Sequence, residues 1–500
     1  MERKEFISLL SKGVIGSSLL LSGCSKLLNV TNPDNVTPSN FWKTASDAEA
    51  NITAIYGIFL GQAGWSCANN WYNRRVVQLY RGDDIGITHD VPDWWSLAQF
   101  TTADGSSTAQ GLWSMDYQGI FFANQAIQNI PDIKMDSTTQ AQYVGEAKFF
   151  RAFFYFDLLT NFLNIPLIIT VPESSSQYSQ PQAQPADVWK QIEKDLNDAI
   201  AALPAAYATA DMGRVTKGAA LGYLGKSYLY QQMWQQASDT FKQIISSNTY
   251  ALLPNYADVF GLNNNFSAES LLEIAYADTT YQGQPMQTPR NYEEGPSQAG
   301  GWYECYPNQF LFNEMTKEKT VDGNLDPRIY TTIIWPGGGL QYYGQTYQQL
   351  FGSGSTIMAW AKYNDCELPN VLNHYSGKHT RLLRYADILL MHGEALNNQG
   401  QTQTAIPFIN QVRNRAKLAN LSMSMTQSDL NSEIEHQRII ELADEGNRFY
   451  DLLRWGTIQQ NLLAHGAIGA ANFVKGKNEY LPIPSTEMQT NTKIKQNPGY

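Results

Sequence analysis

Residues 381–455 constrain the fold more than any other stretch. Leu382, Ala386, Leu389, Gly393 and Leu396 recur at alternating spacings of four and three, one stripe of an α-helix. Leu383 and Leu390 lie beside that stripe and widen the apolar arc, so a helix here has neighbours on most sides. Such a helix is core in any protein that contains it. Gly393 precedes Ala405 by twelve residues, and Gly225 precedes Ala237 by the same twelve. Small residues at matched points let two antiparallel helices approach closely. Both intervals therefore predict tetratricopeptide-like helix pairs, the first with Leu224, Tyr228 and Phe241 alongside. Pro185 suits the first turn of a helix running to about Leu203. Thr426 with Asp429 predicts a capping box before a helix that reaches Ala443.

Between the two helical regions the character changes. Residues 278–373 are rich in Gly, Pro, Gln and aromatics with little periodicity, and Leu271–Ala277 reads as a strand leading in. Excursions of that length from a rigid scaffold are usually functional or disordered, and the aromatic content argues against disorder. The net charge of −11 over 500 residues excludes the basic footprint that nucleic acid requires and disfavours polyanions, so a neutral ligand fits best. Aromatic residues make up 12 % of the chain, an excess that suits a surface built for ring stacking.

Catalytic constellations are scarce. The six His show no HExxH spacing, and GxSxG does not occur. AALGYLGKS comes within one residue of a phosphate-binding loop, but Ala220 replaces its first Gly and the segment reads as continuous helix. Asp83-Asp84 and Glu293-Glu294 are adjacent carboxylates. Glycoside hydrolysis needs two carboxyls facing each other across a bond, whereas neighbours in sequence point apart, so solvated loops are the expectation. Glu441 and Glu445, one helical turn apart, are expected to pair with Arg438, Arg448 or Arg454 in a structural role. No cofactor or metal site is implied, although acidic loop residues leave calcium open.

The N-terminus is a processing segment. Arg3 and Lys4 precede an apolar run from Val14 to Leu21, and Leu21-Ser22-Gly23-Cys24 is the pattern at which a bacterial lipoprotein is cleaved before a lipidated Cys. No later segment approaches the length of a membrane span. Cys67, Cys305 and Cys366 remain. An odd number excludes complete pairing within the chain, and a 305–366 disulfide and free thiols are both open.

RYADILLMHGEALN, INQVRNRA and the series Arg438, Glu441, Glu445, Arg448, Asp451, Arg454, Trp455 closely resemble the SusD/RagB family, the surface glycan-binding lipoproteins of Bacteroidetes nutrient-uptake systems. GEAKFFRAFFYFDLL, RVTKGAALGYLGKSYLY, YLPIPSTEM and KQNPGY are similar to further family motifs, in the family's order. The resemblance implies a mostly α SusD-like fold of tetratricopeptide-like helix pairs, with a loop-rich region and few short strands. It divides the chain into a signal peptide (1–23), a tether (24–45), an N-terminal helical region (46–270) and a C-terminal region (271–500) that includes the loops at 278–373. It also implies a non-enzymatic outer-membrane lipoprotein, anchored by lipid at the cell surface, that binds oligosaccharide or polysaccharide and passes it to a SusC-like TonB-dependent transporter. The alternatives are a surface glycoside hydrolase and a peptide-binding RagB-like component.

Sugars present apolar C–H faces edged by hydroxyls, so flat rings with nearby Asp and Arg side chains are the residues to seek. Trp94 and Trp95, after Pro92 and Asp93, read as a loop platform beside Arg81, Asp83 and Asp84. The central excursion adds Tyr281, Tyr292, Trp302, Tyr303, Trp335, Tyr342, Tyr343 and Trp360, and the resemblance implies that some of these contribute. The opposing expectation for each ring is that it packs beneath a long loop and holds it down.

Overall fold

Side-chain caps and small-residue contacts set the helices. In chain order the main ones are α1 (Ala45–Leu60), α2 (Pro92–Ala98), α3 (Ser107–Asn129), α4 (Ser137–Phe162), α5 (Pro185–Ala202), α6 (Lys217–Tyr230), α7 (Trp234–Ser246), α8 (Gln309–Thr316), α9 (Tyr385–Asn398), α10 (Thr402–Arg415), α11 (Gln427–Glu441) and α12 (Arg448–Trp455). The protein is represented by a computed structural model that describes residues 41–60, 74–277, 280–281, 284–285, 288–368 and 376–500. Ser106, Asp136 and Thr216 cap α3, α4 and α6 by accepting a backbone N–H three residues on. Pro185 opens α5, and Thr426 with Asp429 forms the expected capping box on α11. The signal peptide, most of the tether, Cys24 and Cys67 lie outside the described residues.

Helices α3 to α7 pack each on the next, and the series continues from α7 onto α9, which also packs on α10 and α11. Both predicted helix pairs form. A Cβ built on Gly225 in α6 would stand 2.4 Å from the Phe241 ring of α7, and one on Gly393 in α9 would stand 2.6 Å from Ile409 of α10. Residues 385 to 397 are all buried, as a helix with neighbours on most sides must be. The apolar stripe starts later than its periodicity suggests, because Leu382 and Leu383 belong to a strand. Residues Thr380–Arg384 pair antiparallel with Ser270–Ile274 through an irregular register, so the apolar run switches from strand to helix at Tyr385. The AALGYLGKS segment lies wholly within α6 and its N-cap region, in continuous helix rather than a phosphate loop.

A buried ion network underlies this scaffold. Glu441 accepts from Arg384 at 2.8 Å and Arg328 at 3.1 Å, and also from Arg415. Glu445 accepts from Arg384 and Lys362 at 2.7 and 2.6 Å. Arg438 instead pairs with Asp387 and Asp451, and Arg454 with Glu394 and Asp451. The charge series is therefore structural as expected, but Glu441 and Glu445 take cations distant in sequence rather than Arg438, Arg448 or Arg454, and only Arg454 with Asp451 pairs within one turn. Helix spacing identified which charges share an element and said nothing of the cations arriving from elsewhere. Among the described residues no helix is long and apolar enough to cross a membrane.

Candidate functional site

Ile85–Ile87 and Cys305–Pro307 form a short antiparallel ladder, with Gly86 opposite Tyr306. The pairing continues through Thr88, whose N–H donates to the Glu304 carbonyl at 3.0 Å and whose hydroxyl donates to the Glu304 carboxylate at 3.2 Å. Residues 89–95 and 302–303 thus leave the same end of one ladder. This joins the two aromatic groups that lie more than 200 positions apart in sequence.

On the first segment, Trp94 and Trp95 sit on α2, a short helix rather than the expected loop; Pro92 begins it. Both indoles are half-buried. Trp95 packs on the exposed His89 ring at 3.8 Å between centroids, and Trp94 meets Tyr80 edge-on at 6.0 Å. Asp93 clamps α2 to the start of α3, accepting from the Thr108 amide at 2.8 Å, the Thr108 hydroxyl at 2.6 Å and Ser107 at 3.0 Å. Burial opposes its charge, but the hydrogen bonds from Thr108 and the neighbouring serines outweigh that and hold the carboxyl below its ordinary value.

The second segment is held flat by its backbone. The amides of Trp302, Tyr303 and Glu304 donate to the carbonyls of Tyr292, Gly295 and Glu293 at 2.8, 3.0 and 2.8 Å. Gly301 permits this approach, since a Cβ there would lie 2.1 Å from the Gly295 carbonyl oxygen. Tyr292 and Trp302 pack at 4.2 Å, while Tyr303 stacks on Tyr306 at 4.9 Å with planes 9° apart. Tyr303 adopts φ +57, a left-handed conformation that non-glycine residues rarely take, and its hydroxyl donates to the Met358 carbonyl at 2.7 Å. Its ring orientation is thus fixed from two sides. Glu304 is 7 % exposed, and burial raises its carboxyl above the ordinary range; the Thr88 bond opposes the shift and the charge of Asp90 adds to it.

Several sequence expectations need correction here. Arg81, Asp83 and Asp84 are buried at 2 %, 0 % and 2 % exposure and offer no surface to a ligand. Arg81 lies 3.8 Å over the Phe449 ring and bonds Asn161. Asp83 accepts two bonds from Arg448, at 2.6 and 2.8 Å, and one contact from His465 at 2.7 Å. Burial and the adjacent Asp83 charge push Asp84 up to about 7. Glu293 and Glu294 are likewise buried, both bonded to Arg75 and the second also to Arg290. These carboxylates are fasteners rather than solvated loop residues, and they fix both ring-bearing segments to the scaffold. Trp335, Tyr342, Tyr343 and Trp360 are buried too. Tyr342 and Tyr343 share a cluster with Ile334, Tyr347, Leu350 and Ala359 that holds the excursion together. Tyr281 lies in the two-residue strand Thr280–Tyr281, and its side chain is outside the described set. Cys305 and Cys366 are free thiols.

Thr88, His89, Asp90, Glu304 and Tyr306 went unnoticed in sequence, because each gains its place only through the ladder. The crowding of three aromatics into Trp302–Tyr306 is the one available signal. Trp94, Trp95, Tyr292, Trp302 and Tyr303 remain as partly accessible rings around this junction, flanked by an imidazole and two carboxyls.

The fold is a helical-repeat scaffold in which a short ladder joins two ring-bearing segments, one on a helix and one on a loop. The chain belongs to the SusD/RagB family. Residues 268–500 match the SusD family model, and residues 27–229 match one described as starch-binding associating with outer membrane. The chain is 27 % identical to SusD-like protein P2 of Formosa agariphila, with 96 % of this chain and 98 % of the relative aligned. A crystal structure of a SusD superfamily protein from Bacteroides vulgatus superposes with a TM-score of 0.84 at 30 % identity, covering 92 % of this chain and all of that one. A laminarin binding SusD-like protein superposes with a TM-score of 0.75, also at 30 % identity, with 92 % of this chain covered and all of the other.

Proposed function

We propose that this protein binds a neutral oligosaccharide on the platform formed by Trp94, Trp95, Tyr292, Trp302 and Tyr303. The observation that carries the reading is the Ile85–Ile87 to Cys305–Pro307 ladder, which delivers both ring-bearing segments to one place. Half-exposed rings fixed by stacking suit the apolar face of a sugar, while the exposed His89 and Asp90 supply donors and acceptors for hydroxyls. The 30 % identical laminarin-binding relative supports the ligand class. The protein acts by capture rather than catalysis: of the paired carboxylates that a hydrolase reading would draw on, Asp83, Glu293 and Glu294 are tied to arginines and Asp84 is buried beside them. Lipid attachment at Cys24 keeps it on the outer membrane, where a SusC-like TonB-dependent transporter receives the ligand.

Titration of the purified protein with a panel of neutral hexasaccharides tests the binding claim. Trp95→Ala is expected to weaken the best ligand tenfold or more, about 1.4 kcal/mol, with little change in melting. Wild-type affinity in both Trp94→Ala and Trp95→Ala would place the site elsewhere. Release of reducing sugar from the bound ligand would favour the hydrolase instead. Retained surface attachment of Cys24→Ser in the native host would overturn the anchor.

A further inference from the structure

We infer that the protein has a second sugar-binding site, a cavity of about 340 Å³ beside α3 that takes a pyranose ring of a neutral oligosaccharide. It shares no lining residue with the platform. Trp113, Tyr117 and Phe121 recur every fourth residue along α3; Tyr117 and Phe121 offer half-buried rings to the cavity, and the buried Trp113 backs them. Trp113 and Tyr117 pack at 5.0 Å between centroids. Ile168 also lines the cavity, and Tyr178, 54 % exposed, stands at it with its ring in reach of solvent. Glu487 supplies the acid.

The polar frame is already rigid. The Tyr117 hydroxyl donates to the Pro166 carbonyl at 2.8 Å, the Asn124 amide to the Ile168 carbonyl at 2.9 Å, and the Asn491 amide to the Gln180 carbonyl at 2.8 Å. A cavity whose walls are braced in this way does not need to reorganise to admit a ligand. No Lys or Arg lines it, so nothing there would hold a phosphate, sulfate or uronate, and the Glu487 charge would repel one. Burial raises the Glu487 carboxyl above its ordinary value, with the Trp113 indole easing the shift, which leaves an acceptor suited to hydroxyl donors. Rings along one wall, an exposed tyrosine at the rim and a half-buried carboxylate are the chemistry of sugar recognition. The volume falls within the range of small-ligand sites.

The choice of probe rests on the platform reading; the site itself does not. Ser114 and Gln118 line the cavity from exposed positions on α3, so a bulky side chain there blocks it without entering the core. The wild-type chain, Gln118→Trp, Ser114→Trp, Glu487→Gln and Trp95→Ala would be titrated calorimetrically with laminari-, malto-, cello- and mannohexaose. The expected wild-type result is two sites for at least one sugar. Each blocking variant should lose one site while melting as wild type, Glu487→Gln should weaken that site tenfold, and Trp95→Ala should affect only the other. Undiminished stoichiometry in both blocking variants would overturn the second site and leave the platform standing. A single wild-type site removed by the blocking variants but not by Trp95→Ala would uphold the cavity and sink the platform. Failure of all four sugars to bind would overturn both.

Discussion

Gly86 shows how one missing side chain shapes the platform. A Cβ at this position would stand 2.2 Å from the Tyr306 ring, so Tyr306 lies directly over the strand where only hydrogen permits it. Tyr303 then stacks on Tyr306, and the platform inherits that orientation. Gly86→Val should lift Tyr306, misplace Tyr303 and weaken sugar binding tenfold or more. The overpacking should cost about 1 to 3 kcal/mol in addition. Titration well below the melting temperature separates the two effects, and unchanged affinity would show that Tyr303 takes no part. Trp94 and Trp95 are the complementary case. Their adjacency suggested exposed rings, yet each is half-buried, with Trp94 against Tyr80 and Trp95 against His89.

Helix packing supplies the rigidity behind these rings. Gly225 and Gly393 sit where α6 meets α7 and where α9 meets α10, with Phe241 and Ile409 pressed onto them. Gly→Leu at either position should destabilise the fold by about 1 to 3 kcal/mol or more, read as a lowered midpoint in urea. An exposed helical glycine would gain stability from the same change, so the sign alone distinguishes the two cases. The strand Thr380–Arg384 has an equally definite role. It delivers Arg384 to Glu269, Glu441 and Glu445, three buried carboxylates from two other parts of the chain. Arg384→Met would leave them short of a cation and should cost about 3 to 5 kcal/mol, measured by denaturant unfolding.

Across the molecule the buried ions set a pH dependence with two opposing parts. Burial works against the charges of Glu441, Glu445, Asp451 and Asp83, but their arginine, lysine or histidine partners outweigh it and hold all four carboxyls below their ordinary values. A lowered folded-state value stabilises the protein above the unfolded value, and that contribution disappears as pH falls through the folded one. Asp84, pushed up to about 7, acts in the opposite sense: stability rises as pH falls from about 7 towards 4 and the buried carboxyl takes its proton. The expected profile therefore gains at mildly acidic pH and falls steeply below about pH 4. Asp84→Asn should reduce the upper limb and leave the lower one. Chemical denaturation measured from pH 3 to 8 checks both limbs.

Periodicity and spacing were enough to identify the helical scaffold, its two close glycine contacts, the capping box at Thr426 and the entering strand near Leu271. Each depends on residues within one or two turns of one another, or on a matched interval between adjacent helices. The candidate site was legible as a list of rings and not as an arrangement. Trp335 and Trp360 look like Trp302 in sequence, and only packing buries the first two and leaves the third partly open. Asp83 and Glu293 look like solvated acids until Arg448 and Arg75 arrive from elsewhere in the fold. A side chain's exposure and its ion partner are set by whichever segment packs against it, and for Asp83 and Glu293 that segment is more than 200 positions away. Residue chemistry therefore determined the helices and the kind of surface, while the ladder between Ile85–Ile87 and Cys305–Pro307 decided which rings share it.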